Sequence, residues 1–321
     1  MSGIFNDGNA VLKDLTALFE DTRAKFRAPI WPKYATKVSS IGAYEKYAFP
    51  TAVPFPRNWK DERVPQGIDV NRIQQVDNER YELSLEFGGP LLQDATAYNG
   101  LAQMVQEAAA SSVQYPDYLM SQALVNSMSP DAIANDGEVF YSTNHRYAGA
   151  GDYPINNIVT GTGTSVNNLR NDLQKAIASL RGFKDNAGKL VNQGLREGAQ
   201  DLFVVCPPSM LYDMRTVLNA AWLPVNISGT AQSAGPAMNV MSGIADVEAD
   251  GYLTDSNDWF LMYTSTSFRP YVMQERQPLM VKTLDFNSEY YTRTGKVMIC
   301  TEQRLAVWYL AFYRTIRIVN A

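Results

Sequence analysis

The sequence predicts an α+β fold in which several elements need a partner surface. Three observations support this: apolar residues at helical spacing near the N-terminus, amphipathic helices interspersed with short apolar runs in the middle, and alternating strands near the C-terminus. The chain has 321 residues, of which 45% are hydrophobic and 19% charged. This is the composition of a globular protein. Because one core rarely grows beyond about 250–300 residues, we expect two lobes or a core with long extensions.

Charge and targeting features exclude several classes of protein. The formal net charge is −5, which argues against a dedicated nucleic-acid binder because such proteins usually carry a basic excess. Residues 81–145 contain eight carboxylates and no lysine or arginine, so this window cannot neutralise phosphates. No apolar run reaches the roughly 18 residues of a membrane span, and no signal peptide is recognisable. We expect a soluble protein made in a cytoplasm, without membrane contact.

The first predicted element is an amphipathic helix in "NAVLKDLTALFEDTRAKF", ended by Pro29 and Pro32. Its apolar stripe consists of Val11, Leu15, Leu18 and Phe26. A short helix of this kind resembles an arm, and its stripe needs a partner surface.

A hairpin is predicted after a proline-rich stretch. The run "DVNRIQQV" and the run "ERYELSLEF" are joined by a turn at Asp77 and Asn78. In the second run, apolar side chains alternate with polar ones; they are Tyr81, Leu83, Leu85 and Phe87. Because two strands alone are marginally stable in water, this apolar face must lie on its own chain or on a neighbour.

A long helix is predicted from Asp94 to about Met128, with a kink at Pro116. Its stripe consists of Leu101, Val105, Ala108 and Ser112, followed by Leu119, Ala123 and Asn126. The large share of Ala, Gln and Ser favours close packing on several sides.

The remaining chain predicts a mixed α/β unit and long strands. A helix with the stripe Leu169, Leu173, Ile177 and Leu180 precedes a buried strand, "DLFVVC", and a helix opened by prolines, "PPSMLYDMRTVL". Further strands are predicted at "NVMSGIADVEA" and "WFLMYT". Near the C-terminus, "TLDFNSEYY" predicts a strand, "RTG" a turn, and "KVMICTEQRLAVWYLAFYRTIRIV" one long strand with apolar residues on both faces.

No constellation of residues predicts an enzyme. His145 in "VFYSTNHRY" is the only histidine, so no multi-histidine metal site can form. A Ser142/His145 dyad lacks an oxyanion hole nearby. "GTGTS" lacks the ending of a phosphate loop, and Cys206 and Cys300 are expected to be buried free thiols. Arg23, Lys25 and Arg27 are expected to form a solvated face. We therefore expect no cofactor, no metal and a hydrogen-bonded, structural His145.

Four stretches resemble the major head subunit of Mu-like phages and prophages. They are "DGEVFYSTNH", "WKDERVPQGIDVNRIQQVDNERYELSLEF", "WFLMYTS" and "SFRPYVMQERQP". The most specific positions are Ser142, Thr143, Asn144 and His145 together with Gln274, Glu275 and Arg276. The resemblance covers about Trp59 to Phe312. The stretch "AYEKYAFPTAVPFPR" departs from the family pattern, so arm and loop contacts are not carried over from the family.

The resemblance implies the Hong Kong 97-type phage capsid fold. Its expected parts are an N-terminal arm at 1–36, an extended hairpin loop at 37–90, a peripheral domain with a long spine helix at 91–160 and 265–300, and an axial α/β domain at 161–264 and 301–321. In this fold the "STNH" segment follows the spine helix, and His145 serves structure.

The resemblance also implies a function and partners. The chain is expected to assemble as hexamers and pentamers into the icosahedral head of a tailed phage, in the cytoplasm of a bacterial host, and to enclose double-stranded DNA without sequence preference. A separate scaffolding protein is expected because the chain begins almost directly with the arm helix; a portal and a decoration protein are further partners. The uncovered apolar faces, and not the resemblance, predict the intersubunit contacts. They are the stripe Val11, Leu15, Leu18 and Phe26 and the hairpin residues Asp77, Asn78, Tyr81, Leu83, Leu85 and Phe87.

Two alternatives stay open at this point. An encapsulin-like nanocompartment shares the fold and lacks DNA, and it would yield cargo enzyme where a virion yields a nuclease-protected genome. A cytoplasmic hydrolase using Ser142 and His145 would elute as a small oligomer, whereas a shell sediments as megadalton particles.

Overall fold

The structure is a computed structural model that describes residues 8–50, 56, 58–59, 63, 65, 70–93, 98–147, 153–196, 198, 200–226 and 233–320. The helices are α1 Gly8–Lys25, α2 Gly89–Gln93, α3 Tyr98–Val125, α4 Val166–Gly182, α5 Leu211–Asn219 and α6 Glu289–Thr294. The strands are β1 Ala35–Ser39, β2 Tyr44–Pro50, β3 Val70–Asp77, β4 Glu79–Gly88, β5 Ile158–Thr160, β6 Leu202–Cys206, β7 Trp222–Asn226, β8 Ser233–Met238, β9 Asp246–Ala249, β10 Trp259–Tyr263, β11 Tyr271–Leu284, β12 Lys296–Tyr309 and β13 Thr315–Val319.

Two larger sheets organise the described residues. A four-stranded sheet has the order β1-β11-β12-β4, with β1 parallel to β11 and the other pairs antiparallel. A five-stranded mixed sheet has the order β5-β13-β10-β6-β9. Two further pairs stand apart as two-stranded ribbons, β2–β3 and β7–β8. The α+β prediction is confirmed.

Two hydrophobic clusters share the long helix α3. The first cluster joins the first half of α3 to α1, β4 and the beginning of β12, and it includes Leu101 and Val105. The second cluster joins the second half of α3 to α4, α5 and the five-stranded sheet, and it includes Met120 and Leu124. The helix therefore connects two packed units, which explains why it is longer than the usual 11–12 residues of a globular protein.

The predicted stripe of α3 is confirmed before Pro116, which lies inside the helix, and only in part after it, where Leu119 and Ala123 are half-buried against the second cluster. Met120, Leu124 and Ser127 are buried, whereas the predicted Asn126 is exposed. The second half packs against a different cluster, so its buried face lies one residue further round the helix. The predicted helix start at Asp94 lies outside the described residues.

The stripe of α1 finds its partner surface within the chain. Leu12, Leu15 and Phe19 are buried against α3 in the first cluster, and Val11 and Leu18 are half-buried. This corrects the expectation that Leu15 contacts a neighbouring subunit, because its side chain has no exposed surface.

The predicted hairpin is wrong in its pairing. β3 pairs with β2, in a register that places Tyr44 opposite Asp77, whereas β4 pairs with β12, with Phe87 opposite Val297. Asp77 and Asn78 therefore lie at the root of the β2–β3 ribbon and not at its tip. β2 was not predicted, because it runs directly into the proline-rich stretch that begins at Pro50, and prolines weaken any prediction of a strand.

The apolar face of β4 also packs within its own subunit. Phe87 is buried in the first cluster. Leu83 and Leu85 are half-buried against the same cluster, and Tyr81 against the second. The prediction that these four side chains lie on an adjacent subunit is therefore wrong for Phe87, which is 2% exposed.

The α/β unit follows its predicted pattern more closely. All four stripe residues of α4 are buried, and so is every residue of β6. The strand predicted from Asn239 to Ala249 is confirmed only for β9, because Val240 to Gly243 form turns.

The C-terminal region departs from prediction at two places. The sequence "SEYY" begins α6, because the Ser288 hydroxyl accepts a hydrogen bond of 3.1 Å from the Tyr291 amide and so caps the helix. Gly295 then ends α6 with φ 68°. The long last strand is two strands, β12 and β13, which belong to different sheets.

Cys206 and Cys300 are free thiols. Cys206 is buried, and burial raises the pKa of its thiol to about 12, whereas Cys300 is only half-buried. Among the described residues, no helix combines the length and hydropathy needed to cross a bilayer, and no group of three or more His, Cys, Asp or Glu is placed to hold a metal ion.

Candidate assembly site at the root of the ribbon

Gln274 is the centre of a buried hydrogen-bond cluster at the root of the β2–β3 ribbon. It lies on β11, between Val38 of β1 and Ala306 of β12, and it has no exposed surface. Its Nε2 donates to the Val76 carbonyl at 3.2 Å and to Asn78 Oδ1 at 2.9 Å. Its Oε1 accepts from the Tyr47 hydroxyl at 2.8 Å. One side chain thus binds both strands of the ribbon to the four-stranded sheet.

Asn78 completes this cluster from the other side. Its Nδ2 donates to Ser40 Oγ at 2.8 Å and to the Gly42 carbonyl at 3.0 Å. Its backbone N–H donates to the Ala43 carbonyl at 2.8 Å. Asn78 therefore holds the chain where it enters the ribbon and where it leaves it. Asn78 is half-buried, so these contacts bind it to its own subunit, and its predicted place at an intersubunit contact stays a prediction.

Charged groups surround the same root. The Ser40 hydroxyl donates to Glu45 Oε1 at 2.7 Å, and the Ile41 amide donates to the same atom at 3.0 Å. These hydrogen bonds, with a smaller contribution from the charge of Arg276, lower the pKa of Glu45. Burial, together with the charge of Glu45, raises the pKa of Tyr47 to about 12. The Tyr47 hydroxyl thus stays protonated and donates to Gln274 at any physiological pH.

The other two residues of the "QER" motif lie near the root with different exposure. Glu275 is half-buried and forms an ion pair with Lys37 of β1 at 2.6 Å. Arg276 is exposed. Ser40, Glu45 and Tyr47 were missed by sequence reasoning; the available signal was the polar Gln274 inside the apolar run "YVMQ", which implied buried partners.

The second motif surrounds a buried histidine. His145 has no exposed surface; its Nδ1 lies 2.7 Å from Asp136 Oδ2 and its Nε2 lies 3.0 Å from the Phe140 carbonyl oxygen. The imidazole stacks on Phe312, with ring centroids 4.0 Å apart. Both ring nitrogens thus contact acceptor oxygens of Asp136 and Phe140, and neither contacts the Ser142 hydroxyl.

Asp136 is held as an anion beside this ring. Burial alone would raise the pKa of its carboxyl group, but the hydrogen bond and charge of His145 and the N–H groups of Arg146 and Glu138 together lower that pKa. The Arg146 amide donates to Asp136 Oδ2 at 3.0 Å.

Ser142, Thr143 and Asn144 have no role in chemistry with this histidine. The Ser142 amide donates to Asn157 Oδ1 at 2.9 Å, and its hydroxyl oxygen accepts from the Asn144 amide at 3.3 Å. Thr143 and Asn144 are exposed. Asn157, which is buried, ties the segment to the Phe140 and Phe312 carbonyls at 2.8 and 3.2 Å. The segment thus fixes the chain between α3 and β5, and the hydrolase alternative has no geometry to support it.

The basic residues of the terminal helix are paired with carboxylates. Arg23 contacts Glu20 at 3.2 Å, and Lys25 contacts Asp21 at 2.7 Å. Arg27, which follows the helix, contacts Glu248 at 3.5 Å. Such exposed pairs contribute little stability, and they match the expected solvated face.

Comparison with known proteins identifies two families. The model of the Mu-like prophage major head subunit gpT matches residues 9–169, and the model of the phage capsid protein family matches residues 94–297. These matches confirm the resemblance found in the sequence motifs. No curated protein matches the chain.

Solved capsids have a similar fold over most of the chain. The procapsid of bacteriophage JBD30 is 16% identical with a TM-score of 0.50 and covers 98% of this chain and 75% of its own. The capsid of cyanophage P-SCSP1u is 11% identical with a TM-score of 0.56 and covers 92% and 89%. A virus-like particle from Pyrococcus furiosus is 11% identical with a TM-score of 0.51 and covers 96% and 98%.

These structures share the Hong Kong 97-type capsid fold with the chain. The gpT family model alone spans 161 of the 321 residues. The chain belongs to the Mu-like prophage major head subunit gpT family and is the major capsid protein of a tailed-phage head.

Proposed function

We propose that the chain forms hexamers and pentamers that close into an icosahedral head around double-stranded DNA, with the β2–β3 ribbon as the intersubunit clasp. The observation that carries this proposal is the contrast between the root of the ribbon and the rest of it. The root is fixed by Gln274 and Asn78, whereas Ile73, further along the ribbon, is 60% exposed. Tyr44, opposite Asp77 at the root, also presents a ring that is 45% exposed. A rigidly aimed ribbon with exposed apolar side chains is suited to binding another subunit.

The ribbon gains stability only when a neighbour covers it. An isolated pair of strands is marginal in water, and burial of a large apolar side chain contributes on the order of 1.5–3 kcal/mol before ordering costs. Repetition of this contact at every subunit boundary makes closure of the shell depend on the ribbon.

The described elements support a division into the parts of the capsid fold. We assign α1 to the N-terminal arm and the ribbon to the extended loop. We assign α3 with the four-stranded sheet to the peripheral domain, and α4, α5 and the five-stranded sheet to the axial domain. The predicted boundary at residue 300 falls inside β12, which runs unbroken from Lys296 to Tyr309. We therefore move this boundary to the segment between β12 and β13.

We also propose intersubunit contacts for those residues of the predicted contact surfaces that are not fully buried within the subunit. Val11, Leu18 and Phe26 on the arm side, and Tyr81, Leu83 and Leu85 on β4, are half-buried. Asp77, at the root, is exposed. Each of these can add contact area around the clasp.

The proposed head encloses DNA through weak, salt-sensitive contacts without sequence preference. The chain carries a net charge of −5, and residues 81–145 contain no lysine or arginine. Such a surface makes few phosphate contacts and lets DNA move during filling. We further propose assembly in the bacterial cytoplasm with a separate scaffolding protein and a portal. A decoration protein is proposed because the JBD30 capsid is decorated with minor capsid protein trimers.

Negative-stain microscopy and sedimentation of the purified chain test this proposal. We expect closed shells of megadalton mass, and particles from infected cells should hold a nuclease-protected genome. A chain that elutes only as a small oligomer under all assembly conditions contradicts the proposal. Shells that hold cargo enzyme and no nucleic acid favour the nanocompartment alternative.

A further inference from the structure

A cavity of about 250 Å³ lies where three parts of the subunit meet. The segment between α1 and β1 contributes Phe26, Ile30 and Tyr34, α3 contributes Asp117, and the segment that follows β9 contributes Asp250. We call it the arm cavity. Pockets for drug-sized ligands measure about 300–1,000 Å³, so the arm cavity suits a smaller molecule or a single side chain.

Tyr34 brings a buried hydroxyl without a partner to the arm cavity. The residue is 3% exposed, and its ring stacks on Phe203 and meets Tyr271 edge-on, with centroids 5.9 and 6.1 Å apart. None of the residues that the structure describes forms a hydrogen bond with its hydroxyl. Burial raises the pKa of Tyr34, and the charges of Asp250 and Asp117 raise it further, so the protonated hydroxyl faces these two carboxylates. Because buried polar groups usually have a partner, this hydroxyl indicates a ligand.

The two carboxylates that face this hydroxyl have acceptor capacity left. Asp117 Oδ1 accepts from the Ile30 and Trp31 amides at 2.9 and 2.8 Å, and Asp250 Oδ1 accepts from the Tyr252 amide at 2.9 Å. Burial raises the pKa of Asp117 despite its two N–H groups, and the charge of Asp250 raises it further. Within the described part of the chain, neither carboxylate forms an ion pair. A cation between them would relieve this repulsion.

The basic residues beside the arm cavity are bound to other carboxylates. Arg27 contacts Glu248 at 3.5 Å, and Lys33 contacts Glu248 at 3.0 Å and Asp246 at 3.1 Å. The charge of Arg27 lowers the pKa of Asp117, but the effect of burial is larger. These two cations therefore leave the carboxylates inside the cavity uncompensated.

The chemistry of the arm cavity suits an organic ammonium ion. An ammonium group has three N–H donors, which match the oxygens of Asp117, Asp250 and Tyr34. The apolar side chains of Phe26 and Val205 also line the cavity and can contact a carbon chain. Nowhere among the described residues are three His, Cys, Asp or Glu side chains placed to hold a metal ion, so an inorganic cation fits less well.

We propose that the arm cavity binds an aliphatic primary ammonium group, with Asp117, Asp250 and the Tyr34 hydroxyl as its acceptors. The bound group joins the segment after α1 to α3 and to the segment after β9. Because the cavity exists only in the folded chain, the ligand raises stability by mass action. The ammonium group arrives either on a free amine or on the lysine of another subunit.

Thermal unfolding of the purified full-length chain in 1,4-diaminobutane tests the site, with 1,4-butanediol as the uncharged control compound. Tyr34→Phe removes one acceptor, and Asp250→Asn removes one charge. Asp213→Asn, at an exposed position on α5 outside the cavity, is the matched control. We expect a saturable rise in Tm for the parent and for Asp213→Asn, and a concentration for the half-maximal rise that is about tenfold higher in the other two variants. No rise in the parent, or equal responses in all four chains, overturns the proposal.

Tyr34→Phe also separates a binding role from a structural one. Because the hydroxyl has no partner in the subunit, we expect the ligand-free Tm of this variant to be no lower than that of the parent. A lower ligand-free Tm with an unchanged response to the diamine contradicts the site.

A comparison of unassembled subunits with shells identifies the source of the ammonium group. A response in both states shows a free amine, whereas a response that is lost in shells shows that a neighbouring lysine fills the cavity. The measurement on unassembled subunits does not depend on the proposed function, so failure to form shells leaves this inference to its own test.

Discussion

Gln274 Nε2 donates a hydrogen bond of 2.9 Å to Asn78 Oδ1, 196 residues away in the sequence. The two amides meet where the β2–β3 ribbon leaves the four-stranded sheet, and each satisfies further backbone groups there. The direction of the ribbon is thus set by the side-chain amides of the buried Gln274 and the half-buried Asn78, because two strands alone cannot hold their orientation.

Gln274→Leu should free the ribbon without unfolding the subunit. The change leaves Asn78 Oδ1 and the Tyr47 hydroxyl without the partner they have now, and a buried polar group left unsatisfied costs about 1–3 kcal/mol. We expect a lower free energy of unfolding by chemical denaturation and a reduced yield of closed shells. Gln75→Leu is the matched control, because Gln75 is exposed on the same ribbon. Equal shell yields from the two variants would show that the amide cluster does not direct assembly.

Sequence periodicity predicts a helix correctly where its apolar stripe packs against one surface of the same subunit. The α4 stripe was predicted in full because the helix packs with one face on one sheet. The second half of α3 was not, because Met120 and Leu124 face a second cluster that the periodicity of the first half does not reveal.

The root of the ribbon could not be predicted in the same way. The sequence from β3 through Asn78 to β4 predicts a local hairpin, because two alternating runs joined by a short polar turn usually pair with each other. The pairing actually depends on β2 and β12, of which β12 is more than 200 residues away from β4. The buried role of Gln274 likewise depends on partners distant in sequence, although the motif itself was recognised by resemblance.

His145→Ala should cost stability and remove no activity. The change deletes the contacts of His145 with Asp136 and the Phe140 carbonyl and its stacking on Phe312. Each buried group left unsatisfied costs about 1–3 kcal/mol, and a urea denaturation curve measures the loss. Ser142→Ala is the control, with an expected change within about 0.5 kcal/mol. A hydrolytic activity present in the parent and absent in His145→Ala would refute the structural role.

Asp136→Asn should change how the stability of the fold depends on pH. The folded state lowers the pKa of Asp136, so this carboxylate stabilises the fold fully above its unfolded pKa of about 3.9, and the stabilisation is lost as the pH falls through the folded-state pKa. We expect the parent to have the higher Tm near neutral pH. The difference in Tm from Asp136→Asn should shrink as the pH falls below about 4. A difference that stays constant across this range would mean that the ionised form of Asp136 contributes nothing.

Asp258→Ala should destabilise the five-stranded sheet strongly. Asp258 Oδ2 accepts from Arg317 Nε and Nη2 at 3.0 and 2.8 Å, and its Oδ1 accepts from the Asn320 amide at 2.9 Å. Asp258 is 3% exposed, and loss of one partner of a buried ion pair costs about 3–5 kcal/mol. The unfolding midpoint should fall clearly in this variant and barely move in Asp21→Ala, which removes an exposed pair with Lys25. Similar midpoints for the two variants would show that burial of the pair has no energetic consequence.

Shortening the ribbon should separate folding from assembly. Replacement of residues 49–72 by a tight Gly/Ser turn joins Ala48 to Ile73, which are directly opposite each other in the β2–β3 register. This cut keeps Tyr47, Asn78 and their hydrogen bonds to Gln274, whereas a deletion reaching residue 80 would remove the root and the beginning of β4. We expect a soluble subunit with an unchanged unfolding transition that forms no stable shells, measured by sedimentation and negative-stain microscopy. Particles of normal size and thermal stability from the shortened chain would show that the ribbon is not the clasp between subunits.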